Sequence, residues 1–536
     1  MHEQYQKPLK PPKSWKPTYD NHSPIGDWDT KAERVKQAFR HAYHAYEKFA
    51  SPADELLPLT GRKIDNFNGW GVTVVDSLDT MYLMGLQDEF NTGLTFVERM
   101  NFTANDTIYI PFFETNIRYL GGLLSAYALS QDSILLERAE ELGHLLLPAF
   151  NTTSGFPVYS MNIKTGLPPK KERNQGSLAE IATCQMEYKY LAHLTGKKEF
   201  YDVAQKVTAS LYNAKTDWVG GMFPTQWDLK YGSPVNDVVS IGSLADSAYE
   251  YLLKQWLLTG KSEKESLEMY VRQANLIIEN LLYLSPTRGL LYVSDVLISK
   301  NRPPSPSHRF EHLSCFLPGL LALGAHTLPP AALSDKQRER HWWAAEGLAY
   351  SCWMMYADQE TGLGPEEVLF NFEGPGWHER NRWVNALRMW EEDSGDVPPP
   401  GLTEVQPVRM EDPKQDYWVN KLPHLLRPET IESMYIMWRL TGNAKWRERG
   451  WKVFEALEKE AKVGNGYAVL ASVLKSPAKL QDSMPSYFLA ETLKYLYLLF
   501  TDKDIVPLDR FVLNTEAHPL PVFNWTMWDK KNFKIL

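Results

Sequence analysis

Four acidic side chains recur at matching places in this sequence. Glu114 precedes Ser130, Glu180 precedes Gly196, Asp246 precedes Gly260 and Glu429 precedes Gly442, by 13 to 16 residues in each case. Basic and aromatic neighbours accompany them: Phe112-Phe113 before Glu114, Arg118 one helical turn after it, and Arg427-Pro428 directly before Glu429. Proline pre-sets a helix start, and the helix dipole favours the ionised form of a carboxylate in the first turn. That environment suits Glu429 as a base. Acids favour first turns for the dipole alone, but a repeated set with these neighbours reads as functional. Carboxylates brought together can hold a hard cation through oxygen ligands and can divide general-acid from general-base work. Inverting glycoside hydrolysis uses that division: one carboxylic acid protonates the leaving oxygen, and a carboxylate about 6.5–9.5 Å away activates water.

Placing such a set is the work of helices. From about Lys31 onward apolar residues fall three and four apart, with few alternating strand-like runs, which predicts a mostly α protein. Apolar helices repeatedly end in a join that a polar-faced helix follows: Leu194-Thr195-Gly196, Leu258-Thr259-Gly260 and Leu440-Thr441-Gly442, with weaker versions at Leu129-Ser130 and Leu323-Gly324. Glycine at such a join supplies the left-handed residue that ends a helix. The joins recur about every 60 to 65 residues, the length of two helices and their loops. Counting outward to Gly85 and to the run Leu489 to Phe500 predicts seven or eight helix pairs. Such pairs bury their apolar faces on each other as an open solenoid or a closed toroid. Helices of similar length with an acid near each start bring those acids to one rim, which in a toroid encloses an acidic pocket.

The 536 residues are 43% hydrophobic, enough for a large core, which excludes disorder and a small stapled scaffold. Length allows three or four domains, but the repeat predicts one, residues 31–536, after a Pro-rich leader over 1–30. A formal charge of -9 leaves no basic excess for a phosphate backbone, so nucleic acid is excluded as a partner. The uncharged stretch His312 to Ser334 is long enough to cross a bilayer, but Pro318, Pro329 and Pro330 mark it as buried helix and turn, and no membrane span is expected. No signal peptide opens the chain, so the protein is either cytosolic or has lost a targeting segment. Sequons at Asn21, Asn101, Asn105, Asn151 and Asn524 favour the secretory route. Cys315 and Cys352 can form a bridge worth about 4 kcal/mol in the chain-entropy model, leaving Cys184 as a buried thiol.

Five segments carry a resemblance: Asp76-Ser77-Leu78-Asp79-Thr80, Phe113-Glu114-Thr115-Asn116-Ile117-Arg118, Gly242-Ser243-Leu244-Ala245-Asp246-Ser247, Arg427-Pro428-Glu429-Thr430 and Asn514-Thr515-Glu516-Ala517-His518-Pro519. In this order, and with the run Phe488 to Tyr495 between the last two, they resemble glycoside hydrolase family 47, the class I α-1,2-mannosidases. The resemblance implies an all-α fold, an (αα)7 barrel. It implies a monomeric, lumenal or secreted exo-enzyme of the Golgi or endoplasmic reticulum, one bound Ca²⁺, and inverting removal of terminal α-1,2-mannose from high-mannose N-glycans. By motif, Glu429 corresponds to the general base, and Glu114 and Asp246 are both candidates for the acid side. Thr515 corresponds to the Ca²⁺ ligand. Arg118, Glu180, Glu366, Arg427, Glu432, Tyr487 and Glu491 correspond to residues of the sugar pocket or its water network, and His312 to a histidine near the catalytic site. Cys315 and Cys352 stand at the family's disulfide, which implies an oxidising compartment and makes the Pro-rich start part of a lumenal stem.

Two departures bear on specificity. Leu244 stands where members of the endoplasmic-reticulum type carry an arginine that grips one glycan branch, so this chain resembles the Golgi type, which trims Man9 toward Man5. Met484-Pro485-Ser486 stands where an acid or Gln is commoner. Tyr487 replaces a usual Phe, so stacking on sugar is expected to persist and the added hydroxyl to reach water. His518 is expected to be structural, and His312 is equally compatible with a core histidine bonded to backbone. The rival readings are a mannosidase of misfolded-glycoprotein degradation with an oxidoreductase partner, a mannose-binding lectin without turnover, and a helical scaffold. Presence of Glu114, Asp246 and Glu429 together speaks against the lectin, because binding alone needs neither an acid nor a base.

Overall fold

The computed structural model describes residues 27–102, 108–170, 174–299, 303–372, 377–393, 397–409, 412 and 414–535. All but the last four residues of the expected leader lie outside it, as do the sequons at Asn21 and Asn105; Asn101, Asn151 and Asn524 are exposed. Asp27 opens the first helix by accepting the Thr30 N–H at 3.0 Å.

Among the described residues fourteen of the helices fall into pairs. They are α1 (Trp28–Phe49), α2 (Val72–Leu83), α3 (Gln87–Arg99), α4 (Gly121–Ser130), α5 (Ser133–Leu146), α6 (Gln185–Thr195), α7 (Lys198–Tyr212), α8 (Asp246–Leu258), α9 (Lys264–Asn280), α10 (Leu317–Thr327), α11 (Asp335–Ala357), α12 (Glu429–Thr441), α13 (Lys445–Glu460) and α14 (Leu493–Phe500). From α2 to α13 each even-numbered helix packs on the one that follows it, and α14 packs on α1 from the other end of the chain. The even-numbered helices also pack on one another in order, α2 on α4 and so on to α12 on α14. The π-helical turn Phe488–Thr492 leading into α14 packs back on α2, so the order of contacts returns to its start.

Composition explains which member of a pair is central. Helices α2, α8 and α10 are buried along nearly their whole length, while α7 buries Phe200, Tyr201, Ala204, Val207, Thr208 and Leu211, a stripe at helical spacing. A helix buried all round needs partners on every side, and an amphipathic one covers it from outside.

Most expected joins end helices: Gly196, Gly260 and Gly442 have φ of 69°, 60° and 68°, and Gln131 takes the left-handed place after Ser130. The Leu323-Gly324 join does not. Helix α10 runs on to Thr327, and a Cβ on Gly324 would stand 2.1 Å from the hydroxyl oxygen of Tyr270, so this glycine serves close packing of α9. Strand content exceeds the expectation, with nine sheets of two or three short strands in the connecting loops of the described residues. Strands of two to five residues are too short to leave an alternating signal. The stretch from His312 forms a 3₁₀ turn and then buried α10, and no described helix is long and apolar enough to cross a membrane. A disulfide joins Cys315 to Cys352, as the resemblance implies, and Cys184 is buried and unpaired with any other cysteine.

Candidate active site

Glu429 and Asp246 are the first residues of α12 and α8. Asp246 is delivered by a tight approach in which Leu244 adopts φ 76° and is 48% exposed. Gly242 permits that approach, because a Cβ there would stand 2.1 Å from Glu311 Oε2. The Ser243 N–H instead donates to Glu311 Oε2 at 2.7 Å and its hydroxyl to Oε1 at 3.2 Å. Glu114 closes a one-turn helix, Phe112–Glu114, that continues through a π-helical turn, Thr115–Leu120, into α4. A second π turn, Phe488–Thr492, carries Glu491. π turns are rare and cluster at functional sites.

Arginines tie the acids together. Buried Arg118 donates from Nε to Glu114 at 2.7 Å and from Nη1 to Ser486 Oγ at 3.3 Å, pairs with Glu516, and lies 3.6 Å from Asp76. Arg427 holds both oxygens of Glu366, at 2.8 and 3.0 Å. Both guanidinium carbons lie 5.7 Å from the centroid of the Tyr487 ring, which is therefore within cation–π range of both cations. The Tyr487 hydroxyl donates to the Leu425 carbonyl at 2.7 Å. His312 is held by side chains instead of backbone alone: Nδ1 meets Glu429 at 2.9 Å, and Nε2 meets the Tyr356 hydroxyl at 2.6 Å and that of Thr430 at 3.2 Å. His518 bridges buried Asp76 at 3.1 Å and Asp79 at 2.8 Å, a structural position as expected.

Environment separates the carboxylates. Burial would raise the Glu429 pKa, but the His312 hydrogen bond and the charges of His312 and Arg427 outweigh it and hold the group below the usual range. Asp246 is pushed up to about 7 by burial and by the like charges of Glu429, Glu250 and Glu311, against one N–H from Ser247. Burial raises Glu432 to about 8, with Glu250 and Glu429 adding to it and Lys254 opposing. Burial raises Glu491 and Glu516; Glu516 and Glu429 add to it at Glu491, while at Glu516 Arg118 opposes and Asp76 and Glu114 add. These mutual fields place Asp246, Glu429, Glu432, Glu491, Glu516 and Glu114 in one acidic cluster.

Two of the expected residues have local duties as well. Glu180 closes a capping box with Ser177, accepting that residue's N–H at 3.2 Å, and the neighbouring Ala179 N–H bonds the Leu244 carbonyl at 2.9 Å. Thr515 sits in the turn of a hairpin, Phe511–Leu513 with Pro519–Pro521, that packs on α8 and α4. Asn514 Oδ1 shapes this turn by accepting the N–H groups of Glu516 and His518, both at 2.9 Å. Asp76, Glu250, Lys254, Glu311 and Glu516 belong to the cluster or its supports and were not singled out from sequence. Asp76 and Glu516 lie inside recognised segments; Lys254 and Glu250 pair one turn apart on α8, a spacing common on any helix.

The sequence profile of Glycosyl hydrolase family 47 matches residues 38–522. The chain belongs to that family. Family 47 relatives include the mannosyl-oligosaccharide alpha-1,2-mannosidase IA of Drosophila melanogaster, 34% identical over 92% of this chain and 68% of that protein. The endoplasmic reticulum mannosyl-oligosaccharide 1,2-alpha-mannosidase of Homo sapiens is 36% identical over 97% of this chain and 67% of its own length. Among solved structures, the alpha-1,2-mannosidase from Trichoderma reesei superposes with a TM-score of 0.79 at 31% identity, covering 92% of this chain and 99% of that one. As a family 47 member this protein is a glycoside hydrolase with a helix-rich fold shared with that enzyme.

Proposed function

We propose that this glycoside hydrolase removes terminal α-1,2-linked mannose from high-mannose N-glycans, one residue at a time, with inversion and with Ca²⁺. The observation that carries the reading is the split between two helix-starting carboxylates in one cluster: Glu429 held ionised and Asp246 held protonated up to about pH 7. Separated pKa values assign acid and base. Glu429 takes the proton of the attacking water, and Asp246 supplies the proton to the leaving oxygen. Glu114, whose Oε2 accepts from Arg118 Nε at 2.7 Å, is engaged as an acceptor and orients the acid side. The names of the relatives, all mannosyl-oligosaccharide 1,2-α-mannosidases, support mannose as the sugar. The cyclic contact order supports an (αα)7 barrel around the cluster. The disulfide, the exposed sequon asparagines and the endoplasmic-reticulum relative support a lumenal site of action.

The donors present fit a hard cation. Thr515 offers hydroxyl and carbonyl oxygens in a partly exposed turn, beside Glu516, whose buried carboxyl pairs with Arg118 and raises that of Glu491. Among the described residues no three His, Cys, Asp or Glu side chains group as a metal shell, so Thr515, water and sugar hydroxyls would hold the ion. When bound, Ca²⁺ supplies charge that fixes the sugar's hydroxyls. Exposed Leu244 supports broad, Golgi-type trimming from Man9 toward Man5.

The test is a time course of Man9 digestion by mass spectrometry, with and without EDTA. Calcium-dependent, stepwise loss of up to four hexoses is expected. Arrest after one loss would overturn the Golgi-type specificity, and absence of any loss would overturn the hydrolytic reading.

A further inference from the structure

A buried phenol stands behind the histidine that serves Glu429. Tyr356, next to the last residue of α11, is fully buried, and its hydroxyl lies 2.6 Å from His312 Nε2. The other ring nitrogen, Nδ1, meets Glu429 at 2.9 Å. An ionised carboxylate only accepts, so Nδ1 must carry a proton to bond it, and Nε2 is left to the phenol. Burial raises the Tyr356 pKa, so its oxygen keeps its proton. That hydroxyl donates to Nε2 when the ring is neutral and accepts from the Nε2 N–H when the ring is a cation. In both states the Nδ1 proton faces Glu429.

The fold fixes this contact from three sides. The Cys315–Cys352 disulfide joins the 3₁₀ turn that opens with His312 to α11, and Cys352 stands about one helical turn before Tyr356. Gly364 makes room for the phenol, since a Cβ there would stand 2.6 Å from Tyr356 Cε2. His424 packs edge-on against the same ring, 5.8 Å between centroids, and its Nδ1 N–H donates to the Gly364 carbonyl at 2.8 Å. The Thr430 hydroxyl, 3.2 Å from His312 Nε2, is a second group able to accept a proton from that nitrogen.

We propose that Tyr356 is a positioning residue for the general base: it fixes the proton of His312 on Nδ1 and so keeps Glu429 supplied with a hydrogen-bond donor. The inference rests on the reading of Glu429 as the base in the proposed function. Without the phenol, a neutral His312 is free to carry its proton on Nε2 and donate it to Thr430, which turns the Nδ1 lone pair toward the Glu429 carboxylate. Arg427 then remains to favour the ionised base, while Asp246, Glu432 and Glu491 oppose it from α8, from α12 itself and from the π turn, as does the phenol of Tyr487 if ionised. Loss of the donor therefore raises the pKa of Glu429.

The experiment measures kcat/KM on Man9 against pH for the full chain, for Tyr356→Phe, for His312→Asn and for the double variant. Tyr356→Phe is expected to move the acid limb up by about one pH unit, the scale of one charge-assisted hydrogen bond, with the alkaline limb and the KM at neutral pH unchanged. An asparagine at 312 can present an amide N–H near the place of Nδ1, so Tyr356→Phe should add no further shift in that background. An unmoved acid limb, a uniform loss of kcat with an unchanged profile, or the same shift with asparagine at 312 would each overturn the role. Nitrogen NMR of the histidine-labelled wild-type chain, with the His312 signals assigned by their loss in His312→Asn, keeps the test decisive should Tyr356→Phe fail to fold. A proton on Nδ1 is expected, and a ring protonated on Nε2 alone would overturn the proposal. A wild-type chain that does not cleave Man9 would overturn the mannosidase reading itself, and with it the part of Tyr356 in catalysis.

Discussion

Glu429 and Asp246 begin as similar carboxylates and are driven in opposite directions, Glu429 down and Asp246 up to about 7, because of what each faces. Glu429 has a histidine and an arginine; Asp246 has three acids and one N–H. The sign of the pH dependence follows. With Glu429 as the proposed base and Asp246 as the proposed acid, activity is expected to fall as pH drops through the depressed Glu429 pKa and to fall as pH rises through about 7. A bell-shaped kcat/KM profile is expected, and Asp246→Asn should remove its alkaline limb along with most turnover. Glu429→Gln should keep the fold and glycan binding and lower kcat by at least about 10²-fold, the scale of a lost general base. Near-normal kcat in that variant would remove Glu429 from the role. An alkaline limb that survives in Asp246→Asn would transfer the proton donor's place to Glu114.

At the scale of elements, the hairpin at the C-terminal end of the family match is anchored by charge as well as by packing. His518 lies between Asp76 and Asp79 on α2, and Lys494 at the start of α14 reaches Asp79 at 2.8 Å. Burial would raise Asp79, but Lys494 and His518 hold it down to about 2. His518→Ala leaves two buried carboxylates short of a partner and should destabilise the protein by about 3–5 kcal/mol, the scale of breaking a buried ion pair. The midpoint of urea unfolding checks this. Because the same hairpin carries Thr515, the variant should also need more Ca²⁺ for half-maximal activity. The two π turns act on the same scale: each inserts a residue's worth of rotation into an inner segment, at Arg118 and at Glu491, and so turns those side chains relative to the rest of their helices.

At the scale of the whole molecule, closure of the contact order brings residues hundreds apart into one site, and on the proposed function the loops above it set which glycan arm enters. Leu244 belongs to that level, since it is exposed on a loop braced by Glu311. Leu244→Arg should narrow the products of Man9 digestion toward a single loss, read as a shortened ladder by mass spectrometry; an unchanged ladder would detach branch selection from this position. Sequence alone determined the helical class, the pairing rhythm and the helix starts at Asp246 and Glu429, because local periodicity, capping and dipole preferences act within a few residues. The disulfide was legible through ordered motifs. Tertiary structure alone decided that Leu323-Gly324 is a packing contact and no helix end, that Tyr487 bonds Leu425, and that Glu516, Glu311 and Lys254 support the cluster. Each of those outcomes depends on a partner distant in sequence, and a carboxylate's pKa depends on the burial and charges it meets there, which no local pattern encodes.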